Sequence, residues 1–176
     1  GVPGHDRVST LTLDAVDLEI AEVRSTPEVG ARYDYEGRRL VLRFSNPLPQ
    51  GRPTTLSIAY RCREPLEGMI LAIPDDAYRT RPLVIHTQGE SEYSRYWFPC
   101  LDSPVDRCTS EVVVTIPQPF MAISNGKLLK KREDAATKRT TFHYLQEQHH
   151  AFYLVSLVIG DFAEVRDTWR GIDVQY

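Results

Sequence analysis

The sequence has few of the residues that define several classes of small protein. Its three cysteines among 176 residues are too few for a disulfide scaffold. None is spaced as in the Cys-x-x-Cys pairs of zinc knuckles and thioredoxin-like proteins. No run approaches the roughly 18 apolar residues that a transmembrane helix needs. The formal charge of −3 argues against a nucleic-acid-binding module, because such modules normally carry a net basic face.

The cysteines are Cys62, Cys100 and Cys108. Free cysteine is among the most buried residue types, so buried or half-buried thiols are the favoured interpretation. Cys100 and Cys108 are close enough in sequence to meet across a tight loop, which leaves one disulfide as the alternative. No base is evident beside Cys100, so this residue is not interpreted as a nucleophile.

Common catalytic motifs are also absent. The sequence has no His-Glu-x-x-His zinc motif, no Gly-x-Ser-x-Gly nucleophile elbow and no glycine-rich phosphate loop. Its histidines are scattered, and we predict that they are surface or core residues and not metal ligands. They are His5, His86, His143, His149 and His150.

The sequence is rich in alternating apolar and polar residues with a period of two. This alternation runs through residues 39–45, 56–61 and 112–116 and is typical of half-buried strands. Between Leu18 and Val23 the apolar residues change phase, which predicts a β-bulge. Longer apolar runs at residues 69–73 and 152–159 predict strands that are buried on both faces, the second of them in the middle of a sheet.

Turn signals separate these segments. Asn125-Gly126 suits a two-residue turn with positive φ and predicts a hairpin between the strands on either side. A polar tip at residues 130–138 predicts a second hairpin, leading into residues 139–144. With about a dozen strand candidates and no helical periodicity, the sequence predicts an all-β fold, a twisted antiparallel β-sandwich. Because no repeat or low-complexity linker interrupts it, we predict one domain over residues 1–176.

One stretch is more specific. Residues 87–102 read TQGESEYSRYWFPCLD, which resembles the signature of the N-terminal domain of zinc-dependent aminopeptidases, the family of aminopeptidase N and leukotriene hydrolase. Members carry Thr-Gln-x-Glu, an arginine several residues on, and a Phe-Pro-Cys-x-Asp-x-Pro loop. Segments 10–23, 48–60, 122–126 and 152–162 resemble further strands of that domain in the same order, so the resemblance covers nearly the whole chain.

This resemblance implies a saddle-like sandwich that packs against a catalytic domain. It implies a fragment of a larger protein, without the first strands of the family domain and without the catalytic domain, which would follow Tyr176. The parent protein is then expected to be a zinc metallo-aminopeptidase. The residues from Arg95 to Cys100 resemble those of a bacterial subgroup of the family. Since an aminopeptidase of this kind needs zinc to activate water, the fragment is expected to bind no zinc and to be inactive alone.

The resemblance also assigns residue roles. Gln88 and Glu90 occupy the positions that bind the free N-terminus of the substrate. A carboxylate in a shielded cavity can bind an α-ammonium group by a charge-assisted hydrogen bond and reject internal peptide bonds. Without the family, this segment would be interpreted as a solvated turn. Arg95 is predicted to form a partly buried ion pair with Asp102 that pins the loop.

Departures from the pattern leave an alternative. Leu101 and Ser103 replace the usual Phe and Glu, and the wording around Tyr96-Trp97 also resembles the aminopeptidase-like subunit of a general transcription factor, which has no working zinc site. The alternative is therefore a non-catalytic scaffold or interaction domain in a larger assembly. A free-standing carbohydrate-binding sandwich has only the fold class in its favour.

The leading interpretation carries its own expectations about partners. They are peptides with a free N-terminus and the catalytic domain of the same chain, with no nucleic acid and no membrane. The sequence favours a soluble protein, slightly favours the cytoplasm, and leaves side-chain preference and oligomeric state open.

Overall fold

The computed structural model describes residues 8–48 and 51–175. Their regular structure consists of fourteen strands and two short 3-10 helices, Ser94–Tyr96 and Phe152–Leu154. The strands are β1 Thr10–Asp14, β2 Leu18–Thr26, β3 Ala31–Tyr35, β4 Arg39–Phe44, β5 Thr55–Cys62, β6 Met69–Ala72, β7 Val84–Thr87, β8 Arg107–Pro117, β9 Met121–Ser124, β10 Lys127–Asp134, β11 Arg139–Ala151, β12 Leu157–Gly160, β13 Arg166–Trp169 and β14 Ile172–Gln175. The predicted all-β class is confirmed. None of the helices in this described part is long and apolar enough to cross a membrane.

Alternation of apolar residues explains the strands that face a core. In β4, Leu40, Leu42 and Phe44 are buried while the intervening side chains are more exposed. In β5 the same alternation half-buries every second residue. The phase change in β2 is a bulge, because its register against β5 shifts between Ile20 and Glu22. These three predictions are confirmed.

The contacts divide the chain into two compact units. The first contains the described residues up to Ile70, Thr87–Cys108 and His149–Val155. In it, the antiparallel sheets β1-β4-β3 and β2-β5 share one apolar core, as a sandwich requires. The buried members of that core are Ala15, Leu18, Val29, Leu40, Leu42 and Phe44.

The second unit contains Leu71–His86, Thr109–Gln148 and the described residues from Ser156 onward. The sheets β10-β11-β8 and β6-β7-β12-β9 supply its core, and β13 pairs with β14. The buried members of this core are Ile116, Ala122, Phe142, Tyr144, Leu157 and Ile159. A single domain over residues 1–176 stays a prediction.

The predicted hairpin at Asn125-Gly126 is wrong. The strand before it, β9, pairs with β12, and the strand after it, β10, pairs with β11, so the chain changes sheets at this turn. Gly126 has φ +80°, and a Cβ there would overlap the carbonyl oxygen of Leu145. The Asn125 carboxamide oxygen accepts a hydrogen bond from the Ser156 backbone at 2.6 Å. The second predicted hairpin, between β10 and β11, is confirmed.

The two long apolar runs are only partly as predicted. In the first run, Ile70, Leu71 and Ile73 are 45 to 52% exposed, because β6 lies at the end of its sheet and not inside it. In the second run, only β12 is a strand. It lies between β7 and β9 in the middle of the sheet, as predicted, but Phe152–Leu154 is a 3-10 turn.

Candidate functional site

The segment 87–102, which we call the signature loop, begins at the last residue of β7 and contains the helical turn Ser94–Tyr96. Gln88 and Glu90 lie near its start with exposed side chains, on either side of the buried Gly89. The backbone N–H of Gln88 donates to the carbonyl of Gly68 at 2.9 Å. The two residues singled out from the sequence are therefore brought together on one short stretch of anchored backbone.

Gly89 packs closely against the helical turn Phe152–Leu154. A Cβ at Gly89 would overlap the carbonyl oxygen of Tyr153 and lie 2.8 Å from the Ser94 Oγ. The Gly89 carbonyl accepts a hydrogen bond from the Tyr93 backbone at 2.8 Å. The Ser94 hydroxyl, which is completely buried, donates to the Phe152 carbonyl at 3.0 Å. Sequence reasoning missed these contacts, and the only signal for them is the small size of both residues.

Arg95 holds the second half of the signature loop. Its Nε donates to Oδ2 of Asp102 at 3.0 Å, and an Nη atom donates to the Asp102 carbonyl at the same distance. Asp102 is 2% exposed and also accepts the backbone N–H of Arg95 at 3.1 Å. The predicted ion pair is confirmed. Asp14 at 3.7 Å and Glu92 at 3.3 Å complete the acidic surroundings of this guanidinium.

These contacts oppose each other in setting the charge of Arg95. Burial by itself disfavours the guanidinium cation, but the hydrogen bond to Asp102 and the nearby carboxylates of Asp14 and Glu92 outweigh it, so the pKa of Arg95 is raised. The charge is therefore a fixed part of the loop. The backbone adds further anchors, since Val16 donates to the Arg95 carbonyl at 2.8 Å, and Asp14 and Cys100 exchange two backbone hydrogen bonds.

All three cysteines are free thiols, with Cys100 buried and Cys62 and Cys108 half-buried. The Cys62 Sγ donates to the Tyr96 carbonyl at 3.4 Å. Burial raises the pKa of each thiol, which disfavours the thiolate and hence nucleophilic reactivity. The interpretation as buried thiols is confirmed.

Alkaline pH is expected to destabilise this region. Burial, with the neighbouring Cys62 and Cys100, raises the pKa of Tyr60 to about 12, and burial raises that of Cys100 above its ordinary 9.0. The unfolded chain loses these protons first, so stability is fully present below pH 9 and falls above it. For Cys100 the folding equilibrium constant is expected to fall up to about tenfold per pH unit in this range. Urea unfolding between pH 7.5 and 10.5 measures it, and Cys100→Ala should flatten the curve. An unchanged slope in that variant would contradict this assignment.

A groove of about 890 Å³ lies elsewhere in the first unit. Arg95 and Tyr96 line it together with Asp14, Val16 and residues of β3 and β4, but Gln88 and Glu90 do not. This groove is therefore not the place where the signature loop presents its two exposed side chains.

The described residues contain no cluster that could hold a metal ion. No three His, Cys, Asp or Glu side chains among them come together for this purpose. His143 pairs with Glu111 at 2.5 Å, and His150 is buried at the end of β11. His5 lies outside the described residues. The described histidines and carboxylates therefore do not offer the three or four ligands of a zinc site, and no chemical step through zinc is assigned to this chain.

Comparison with known proteins gives concordant results. Residues 5–154 match the model of the peptidase M1 N-terminal domain. The chain is 31% identical to aminopeptidase Q of Homo sapiens over 178 residues, which is 90% of this chain and 18% of that protein. It is 29% identical to aminopeptidase B of Rattus norvegicus over 131 residues, or 74% of this chain and 19% of that protein.

A third relative is of another kind. Transcription initiation factor TFIID subunit 2 of Gallus gallus is 28% identical over 114 residues, covering 64% of this chain and 10% of that protein. The chain thus spans about a fifth or less of the length of these curated relatives.

Solved structures show the same fold. An M1 zinc metallopeptidase from Deinococcus radiodurans matches with a TM-score of 0.74 and 20% identity, over 92% of this chain and 36% of that one. Aminopeptidase A of Legionella pneumophila matches with a TM-score of 0.77 and 19% identity, over 99% of this chain and 20% of that one.

Proposed function

The chain belongs to the peptidase M1 N-terminal domain family, and on that premise we propose that it serves a zinc-dependent aminopeptidase by binding the free N-terminus of the peptide substrate. The observation that carries this proposal is the exposure of Gln88 and Glu90 on the anchored signature loop. Glu90 supplies a carboxylate for the α-ammonium group, and Gln88 supplies a neutral hydrogen-bonding group beside it.

Orientation is the contribution of this domain to catalysis. Holding the ammonium group places the first peptide bond at a fixed distance from the catalytic centre, which converts part of the reaction into an intramolecular one. Internal peptide bonds bring no ammonium group and would leave the carboxylate desolvated without a partner. The zinc and the water that it activates belong, in this proposal, to a catalytic domain of the parent protein, and the chain by itself is inactive.

A second candidate is a non-catalytic scaffold in a larger assembly. The similarity to TFIID subunit 2 favours it. A scaffold has no use for an ammonium-binding carboxylate, so the exposed Glu90 favours the peptidase.

The parent protein tests both candidates directly. We expect about one zinc per chain, release of the first residue from a free peptide, and no release from the same peptide after N-acetylation. This chain alone serves as the control and should release nothing. Zinc-free parent protein without peptidase activity would support the scaffold, and equal cleavage of the acetylated peptide would remove recognition of the free N-terminus.

A further inference from the structure

The backbone around Gln88 and Glu90 is held on two sides. On one side, Gly68 accepts the N–H of Gln88 and lies so close to the carbonyl of Tyr93 that a Cβ would overlap it. On the other side, Gly89 lies against Tyr153 with no room for a side chain. Both neighbours of Gly89 therefore project from backbone whose position is fixed by close packing.

Ser94 ties this packing to the turn at Phe152 by a hydrogen bond, and the ring of Phe98 packs against the ring of Phe152 beside it. It is a polar residue with no exposed surface, and its hydroxyl donates to the Phe152 carbonyl at 3.0 Å. The Ser94 Oγ also lies beside Gly89, 2.8 Å from the position that a Cβ of residue 89 would occupy. The Ser94 hydroxyl thus fills the space beside Gly89 and prevents that backbone from shifting toward it.

We propose that Ser94 is a positioning residue, which fixes the direction of Glu90 toward the substrate's ammonium group through its hydrogen bond to the Phe152 carbonyl. This inference rests on the proposed function. Removal of the hydroxyl breaks this link between the loop and Phe152, whose carbonyl keeps the Val155 N–H as a donor, and it opens space beside Gly89, so the loop can relax. A shift of about 1 Å in a positioning group can cost two orders of magnitude in rate.

The contacts of Ser94 differ from those that stabilise the loop as a whole. Arg95 and Asp102 form the charged network that joins the loop to Asp14, and Ser94 takes no part in it. Loss of one neutral hydroxyl is therefore expected to alter the loop locally while the fold persists. The effect should appear in kcat as well as in KM, because the ammonium contact both binds the substrate and places its first peptide bond at the catalytic centre.

A double-mutant cycle in the parent protein tests the proposal. Ser94→Ala is expected to lower kcat/KM for a free peptide about tenfold, through both kcat and KM, and less than about twofold in a protein that already carries Glu90→Ala. Ser57→Ala, the same change at an exposed serine of β5, should have no effect. If Ser94→Ala does not fold, the double-mutant cycle with Glu90→Ala is measured with Ser94→Cys, which keeps only a weak hydrogen-bond donor.

The outcomes separate the two claims. Equal losses from Ser94→Ala in both backgrounds would show that Ser94 acts independently of Glu90, and would overturn this inference while the proposed function stands. Wild-type kinetics in Glu90→Ala would overturn the proposed function itself, whatever Ser94 does. No change in Ser94→Ala, with a loss in Glu90→Ala, would also overturn the inference.

Discussion

Replacing Glu90 by alanine in the parent protein is expected to lower kcat/KM for peptides with a free N-terminus by about 10- to 100-fold or more. A hydrogen bond to a charged group contributes about 1.5–3 kcal/mol, and each 1.4 kcal/mol is a factor of ten. The loss should be larger in the low dielectric of a closed site, where water does not screen the pair. Steady-state kinetics with a dipeptide amide would measure it.

The role of Glu90 in binding the ammonium group is tested by whether the loss is confined to this glutamate and to peptides with a free N-terminus. Glu67→Ala, at another exposed glutamate of the same unit, is the matched control and should leave kcat/KM unchanged. The preference for free over N-acetylated peptide should narrow in Glu90→Ala alone, because only this variant loses the group that recognises the ammonium. Unchanged kinetics in Glu90→Ala would remove Glu90 from the substrate site.

Replacing Asp102 by alanine is expected to lower the free energy of unfolding by about 3–5 kcal/mol, because it leaves Arg95 charged and without its closest partner. Asp102 is 2% exposed and accepts hydrogen bonds from the side chain and the backbone of Arg95. Since typical domains are stable by only about 5–15 kcal/mol, this change removes a large share of the stability. Urea unfolding at 25 °C would measure it.

The same arginine offers a control. Glu92 also pairs with Arg95, but its side chain is 54% exposed, so Glu92→Ala should cost less than about 1 kcal/mol. Asp102→Asn, which keeps an acceptor and loses the charge, should fall between the two. Equal effects of Asp102→Ala and Glu92→Ala would contradict a special role for the buried carboxylate.

Patterns of neighbouring residues predicted the features that depend on neighbouring residues, which are strand faces, a bulge and a turn. Alternation placed Leu40, Leu42 and Phe44 on a buried face, and the phase change near Ile20 predicted the bulge, because both follow from the two-residue period of a strand. Asn125-Gly126 predicted a turn but not the sheets that it connects, since a dipeptide specifies backbone angles and not strand partners.

In the candidate site, too, the sequence predicted contacts between residues close in the chain and missed contacts between distant ones. The family signature singled out Gln88, Glu90 and the Arg95–Asp102 pair, whose members are only seven positions apart. Ser94 meets Phe152 across 58 positions, and no local pattern encodes such a contact. The exposure of Ile70 and Leu71 was missed for a related reason, because composition does not tell an edge strand from a central one.

The division into units constrains how this chain acquires its structure during synthesis. The first unit takes in residues up to Ile70, then Thr87–Cys108, and finally His149–Val155. Its last segment contains the Phe152 carbonyl that accepts the hydrogen bond of Ser94. That segment must therefore have emerged from the ribosome before the first unit is complete. Until then the Ser94 hydroxyl lacks its acceptor, although the sheets β1-β4-β3 and β2-β5 already have all their strands within residues 10–62. The interleaved order also means that no single cut in the chain separates one unit from the other.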